Sequence, residues 1–244
     1  MYLGGADVGT TDQIGLDVLN NIVDWSDQSY MENKGSGGAT PALPILSYGA
    51  YGLESTFKRR NVRIENNIFY QRNSGAGGDF VAHLGGGNTE GVTIFNNKLY
   101  GGGMGITTGK WGKDQIIVNN LVVIPSSSTL TGGYAGVEIT KDAQKVTLCS
   151  NRVECGGVLL FGIRTQSGLF QCVISNNSVL NPTDTGISIG DGDATGNSEV
   201  SINGGRIDGD FDTCIEVAGV QGFAISGAVL SGSSSSSVIK ITGS

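Results

Sequence analysis

Charge and aromatic rings are both scarce in this 244-residue chain, at 15% and 7% of positions. A hydrophobic share of 38% still supplies a core, which excludes a disordered chain and a coiled coil. Four prolines without a Gly-X-Y period exclude collagen. Lysine and arginine number 15 against 22 acids, a net charge of -7 that repels phosphates and anionic lipid heads. Nucleic acid and membrane are therefore not expected as partners. The four cysteines, Cys149, Cys155, Cys172 and Cys214, contain no CxxC spacing and fit neither a disulfide scaffold nor a zinc site. The opening MYLGGADVGT has no basic segment before an apolar one, and no apolar run reaches about 18 residues. Neither a signal peptide nor a membrane-spanning helix is expected, so the chain is read as made in the cytoplasm or as an excised fragment. Glycine is abundant instead, with 41 residues, which implies frequent turns and few long helices.

One phrase recurs along the chain. It reads LDVLNNIV from Leu16, VRIENNIF from Val62, VTIFNNKL from Val92 and QIIVNNLV from Gln115. It then decays through VTLCSNRV, CVISNNSV, VSINGGRI and FAISGAVL. Unequal intervals between copies suit a solenoid whose coils keep the same short strands and place extra length in loops. Alternating apolar positions before the pair predict strands that turn a sharp corner at it. Two columns should point into one core. The first is Val18, Ile64, Ile94, Ile117, Leu148, Ile174, Ile202 and Ile225, and the second is Val23, Phe69, Leu99, Val122, Val153, Val179, Ile207 and Leu230. The second member of the pair is Asn in six copies and Gly205 in the seventh, which predicts a left-handed backbone there. Stacked asparagine amides are expected to bond between coils. A competing reading makes residues 12–25 a helix with Ile14, Val18, Ile22 and Trp25 on one stripe.

A third strand follows in most coils: AHL ending at Leu84, GIT at Thr107, GVEI at Ile139, GIRT at Thr165, GISI at Ile189, CIEV at Val217 and VIKI at Ile241. The expected fold is all-β, a parallel β-helix of about eight coils with three parallel sheets, roughly 38 Å long at about 4.8 Å per coil. Residues 1–13 read as an extension or incomplete cap, and residues 14–244 as the β-helix domain. A solenoid needs capped ends. Neither end carries an evident cap, so the expectation is a piece of a longer protein or ends covered by partner chains.

This pattern resembles the right-handed parallel β-helix superfamily of pectate lyases and phage tailspikes. The resemblance implies polysaccharide binding, and in many members cleavage, along an outer groove. It also implies a virion or extracellular surface setting if the chain is tailspike-like. The catalytic motifs of pectate lyases and the paired aspartates of polygalacturonases are missing, so no catalytic role is carried over to any residue. A rigid, non-catalytic rod or adhesin spacer is the competing function.

The outward column of the third sheet should be His83, Thr107, Glu138, Arg164, Ser188, Glu216 and Lys240. Glu138 beside Arg164 is either an acid–base pair acting on a glycosidic bond or a cross-strand salt bridge. His83, two coils below Glu138, would face it across a sugar and a water. Lys110 and Trp111 lie just past the preceding strand. With Tyr134 and Tyr100 they are the expected saccharide contacts, the rings stacking on sugar faces.

A further acidic set is Asp184, Asp191, Asp193, Glu199, Asp208, Asp210 and Asp212. The run from Asp191 begins like a calcium loop but has Ile202 where the closing glutamate belongs. Nothing requires a cofactor. Calcium at Asp191 and Asp193 is the one metal the pattern resembles, with hydrated acidic turns as the alternative. Among the cysteines, Cys172 falls in an inward column, whereas Cys149 and Cys214 read as outward. On the first sheet, Phe95, Ile116, Val118, Cys149 and Val173 form an outward apolar stripe. Such a stripe either joins copies, most simply as a homotrimer, or lies under a long loop of the same chain.

Overall fold

A computed structural model describes residues 13–24, 46–47, 59–70, 84–85, 88–101, 105–108, 111–126, 135–190 and 196–242. The repeating phrase forms two strands of every coil, joined at the asparagine pair. The first leg stacks eight strands in chain order, from Gln13–Leu19 through Thr89–Phe95, Lys113–Val118 and Gln144–Cys149 to Val220–Ser226. All pairings are parallel and equivalent positions are in register, so Ile94 sits beside Ile117 and Ile117 beside Leu148. The helix reading of residues 12–25 is overturned, because alternation won over helical spacing and Gln13–Leu19 pairs with Arg59–Glu65. Both predicted columns are buried in the middle coils, as with Ile64, Ile117, Leu99 and Val153 at 0% exposure. At the last coil Ile225 and Leu230 are only half-buried, since each packs against one neighbour.

The corner corrects one expectation. The left-handed residue is the first of the pair: Asn20, Asn66, Asn96, Asn119, Ser150 and Asn176 all have φ between 53° and 58°. Asparagine tolerates that region better than other residues with a Cβ. The second asparagine is retained for its amide. Nδ2 of Asn67 donates to Oδ1 of Asn97 at 2.9 Å, and the same bond continues from Asn97 to Asn120, Asn120 to Asn151 and Asn151 to Asn177. Each Nδ2 also donates to a strand carbonyl of the preceding coil, as Asn120 does to Ile94. Side chains that would be costly to bury unpaired are thereby satisfied.

The second leg is short: Ile22–Asp24, Ile68–Tyr70, Lys98–Tyr100, Leu121–Val123, Arg152–Glu154 and Ser178–Leu180. The third leg runs Leu46–Ser47, Leu84–Gly85, Ile106–Thr107, Ala135–Ile139, Phe161–Thr165 and Thr185–Ile189. Six coils thus carry three separate strands. In the seventh and eighth, Arg206–Ala218 and Val229–Thr242 run unbroken round the corner between second and third legs. They fuse the two expected sheets into one of 14 strands beside the 8-stranded first leg.

Where the second leg meets the third the interior is narrow. A Cβ on Gly136 would stand 2.1 Å from Cγ1 of Val153, and Gly162 meets Val179 in the same way. Cys214 occupies the equivalent place one coil above Gly186, so it is buried at 3% exposure rather than outward.

Candidate functional site

Glu138 and Arg164 are brought together as the sequence implied, on adjacent third-leg strands and opposite one another in register. Arg164 Nη1 donates to Glu138 Oε1 at 3.2 Å, and Gln166 Nε2 donates to the same oxygen at 2.9 Å. The arginine also lies over the Phe161 ring, 5.2 Å from its centroid. Gln166 was not anticipated. It lies two residues past Arg164, where continued alternation places it on the same side.

The column is not a solvated face. Thr107 is 0%, Glu138 4% and Ser188 1% exposed, so both sides of the third leg are covered in these coils. The hydroxyl of Ser188 has no hydrogen-bond partner among the described residues. Further up, Lys240 Nζ lies 2.7 Å from Glu216 Oε1, a second ion pair between neighbouring coils. The third leg therefore carries a line of polar groups, one per coil, with two charge pairs along it.

Trp111 stands just past the third leg in the coil below Glu138, half-buried, with its backbone N–H donated to the carbonyl of Lys141 at 3.1 Å. His83, Lys110, Tyr134, Asp191 and Asp193 lie outside the described residues, and the place below Thr107 in the column belongs to Gly85 rather than to His83. Among the described residues no group of three or more His, Cys, Asp or Glu is arranged to hold a metal.

Tyr100 ends a second-leg strand and stacks on Tyr70 of the coil below, with ring centroids 5.4 Å apart and planes 17° from parallel. Tyr70 was missed, although both tyrosines occupy the same place in their phrases, as ENNIFY and FNNKLY show. The register continues from Tyr100 through Val123, Glu154 and Leu180 to Asp208. Above the tyrosines this face opens into a cleft of about 420 Å³, bounded by Val123, Pro125, Glu154, Gly157, Leu180 and Asn181.

The first leg presents its apolar stripe as expected. Phe95, Ile116 and Val173 are 39%, 47% and 39% exposed, and Val118 and Cys149 are half-buried between them. Hydrogen bonds from Ser150 and Ser175 lower the pKa of Cys149. Burial raises those of Cys155, Cys172 and Cys214, Cys172 to about 12.

No family model matches the chain, and no curated protein matches it. Two solved structures are similar at low overlap. One is the catalytic domain of a GH87 alpha-1,3-glucanase in complex with tetrasaccharides, at 12% identity and a TM-score of 0.26 over 82% of this chain. The chain spans 55% of that domain's length. The other is the Streptococcus pneumoniae surface protein and adhesin PfbA, at 10% identity and a TM-score of 0.30, covering 95% of this chain and 84% of that one. Overlaps this small carry no argument about chemistry, which rests on the residues themselves.

Proposed function

We propose that this β-solenoid binds polysaccharide, with the third leg as its principal contact and the chain axis of the saccharide running along the coils. The supporting observation is the part of the polar column that reaches the surface: Arg164, Glu216 and Lys240, with side chains 19%, 25% and 47% exposed, stand on strands stacked at about 4.8 Å, while Thr107, Glu138 and Ser188 of the same column are buried. A repeating ligand meets charged donors and acceptors along that line. Trp111 at the edge of the column supplies a ring for a sugar face, joined in the proposal by Lys110 and Tyr134. Cleavage, with Glu138 as base, Arg164 beside it and His83 opposite, is the finer proposal. Calcium at Asp191 and Asp193 belongs to the same level.

The non-catalytic rod is favoured by one observation: Glu138 is buried and its Oε1 is already held by Arg164 and Gln166. For either function we propose self-association as a homotrimer through Phe95, Ile116, Val118 and Val173, a tailspike-like arrangement suited to a virion or cell surface.

A panel of bacterial surface polysaccharides tests these readings by calorimetric binding, release of reducing ends, and ultraviolet absorbance of unsaturated uronates. Binding with neither product supports a binder. Reducing ends alone indicate a hydrolase, and both products a lyase. Absence of binding across the panel rejects the saccharide reading and leaves the rod.

A further inference from the structure

We propose that the second-leg cleft above the tyrosine pair is a separate binding subsite for a neutral sugar ring of a glycan. The inference rests on the saccharide reading but on other residues.

The cleft's volume of about 420 Å³ is within the range of small-molecule sites. Its walls are of two kinds. Val123 and Leu180, both half-buried, offer two apolar surfaces two coils apart. Glu154 stands between them in register, its side chain 34% exposed. Arg152 holds Oε1 of Glu154 at 2.6 Å, and Oε2 accepts no hydrogen bond among the described residues. Across the cleft, the exposed Asn181 uses its backbone in the coil-to-coil ladder, donating to Asp208 and accepting from Gly157, while its side-chain amide makes no bond among the described residues. Two apolar surfaces with a carboxylate oxygen between them and an amide at the edge suit a pyranose, which has C–H faces and hydroxyl edges.

The opening depends on two glycines. Gly156 has φ +61° and approaches the chain below so closely that a Cβ would lie 2.1 Å from the carbonyl of Ile124. Gly157 has φ +68°, and a Cβ there would meet nothing within 4 Å. The first brings the coil edge inward and the second leaves the mouth unobstructed.

Charge selects the ligand. Glu154 and Asp208 flank Leu180, and each carboxylate is matched by an arginine two residues earlier on its own strand, Arg152 at 2.6 Å and Arg206 at 2.7 Å. Among the described residues no unmatched cation remains there to hold a uronate carboxylate, and the free oxygen of Glu154 repels one.

Methyl-resolved NMR of the full chain, titrated with cellotetraose, maltotetraose and laminaritetraose and separately with tetragalacturonate, tests the proposal. A neutral tetrasaccharide should shift the methyls of Val123 and Leu180, and tetragalacturonate should not. Gly157→Asn tolerates the left-handed backbone and places an amide in the mouth, so it should weaken binding by about tenfold. Glu154→Gln should weaken it by about tenfold through loss of a charge-assisted bond. Shifts confined to third-leg methyls such as Ile106 and Val137, insensitive to Gly157→Asn, overturn the cleft while sparing the saccharide reading. Shifts with tetragalacturonate at these methyls overturn the neutral selectivity. No shift with any tetrasaccharide, together with no binding in the polysaccharide panel, overturns both.

Discussion

Asn97 donates twice to a single atom of Asn120 in the next coil: its backbone N–H reaches Oδ1 at 2.9 Å and its side-chain Nδ2 reaches the same oxygen at 3.0 Å. Both residues are nearly inaccessible to water, at 0% and 2% exposure. Removing the acceptor strands the buried backbone N–H of Asn97, whose Nδ2 keeps its bonds to the carbonyls of Ile64 and Phe95. Asn120→Ala is therefore expected to cost about 1–3 kcal/mol for the stranded group. Its neighbour Asn119 has φ +58° and an exposed side chain, so Asn119→Gly should change stability by less than about 1 kcal/mol. Urea denaturation of the two variants checks the contrast, and equal losses would assign the corner's stability to backbone conformation instead.

The Glu138–Arg164 pair has side-chain exposures of 5% and 19%. Glu138→Gln removes the carboxylate that faces the guanidinium, and breaking a buried pair from one side costs about 3–5 kcal/mol. A clear fall in melting temperature is expected, with partial recovery when Arg164→Met is added. An unchanged melting temperature accompanied by loss of polysaccharide cleavage would assign the pair to chemistry.

Val118 lies in register between Phe95 and Cys149 on the exposed stripe. If the stripe joins copies, Val118→Lys buries an unpaired charge at the interface and should convert the trimer to monomer without unfolding it. Light scattering at tens of micromolar, alongside circular dichroism, reads both. A monomeric mass for the unaltered protein rules the trimer out.

Cys172 is buried between Val146 and Val200, and its pKa is raised from 9.0 to about 12 by burial. Between those values the unfolded thiol ionises and the folded one does not, so the folded state holds more protons. Stability must then fall as pH rises through that window, by about 1.4 kcal/mol per pH unit for this thiol. Cys172→Val fits the valine column and should flatten that alkaline decline in denaturation midpoints. Cys149, half-buried with a lowered pKa, should be the first thiol alkylated in the native protein.

The first two legs were legible because burial imposes a period of two on them and the asparagine pair marks each corner. Val62, Val92, Val146 and Val200 could be placed inside from alternation alone. The same column holds Gln115, fully buried and donating to Thr89 Oγ1, which no alternation rule foretells. The third leg was less legible. Its strands were found, but the outward position of Glu138 said nothing about what covers it, and Cys214 was misplaced because the narrow interior depends on the close approach of Val153 and Val179 from another leg. Nor does sequence separate the two jobs at the corner, since Asn serves for both a left-handed backbone and a bonded amide. The difference between Asn119 and Asn120 lies in what each touches.

Between side chains, each bond of the asparagine ladder runs from an amide to the oxygen of the coil that comes later in the chain, while the same Nδ2 of Asn67, Asn97, Asn120 and Asn151 also donates to a carbonyl of the coil before. The solenoid is consequently vectorial: a coil's corner becomes saturated only when its successor arrives, and each arrival presents the oxygen its predecessor lacks. Growth during synthesis and growth from a preformed stub should then differ with direction. A cut after any coil from the second to the fifth leaves the backbone N–H of a corner asparagine without its acceptor on one new face and a side-chain amide oxygen without its donors on the other, so the two surfaces are chemically unlike even though the coils that produced them are nearly the same.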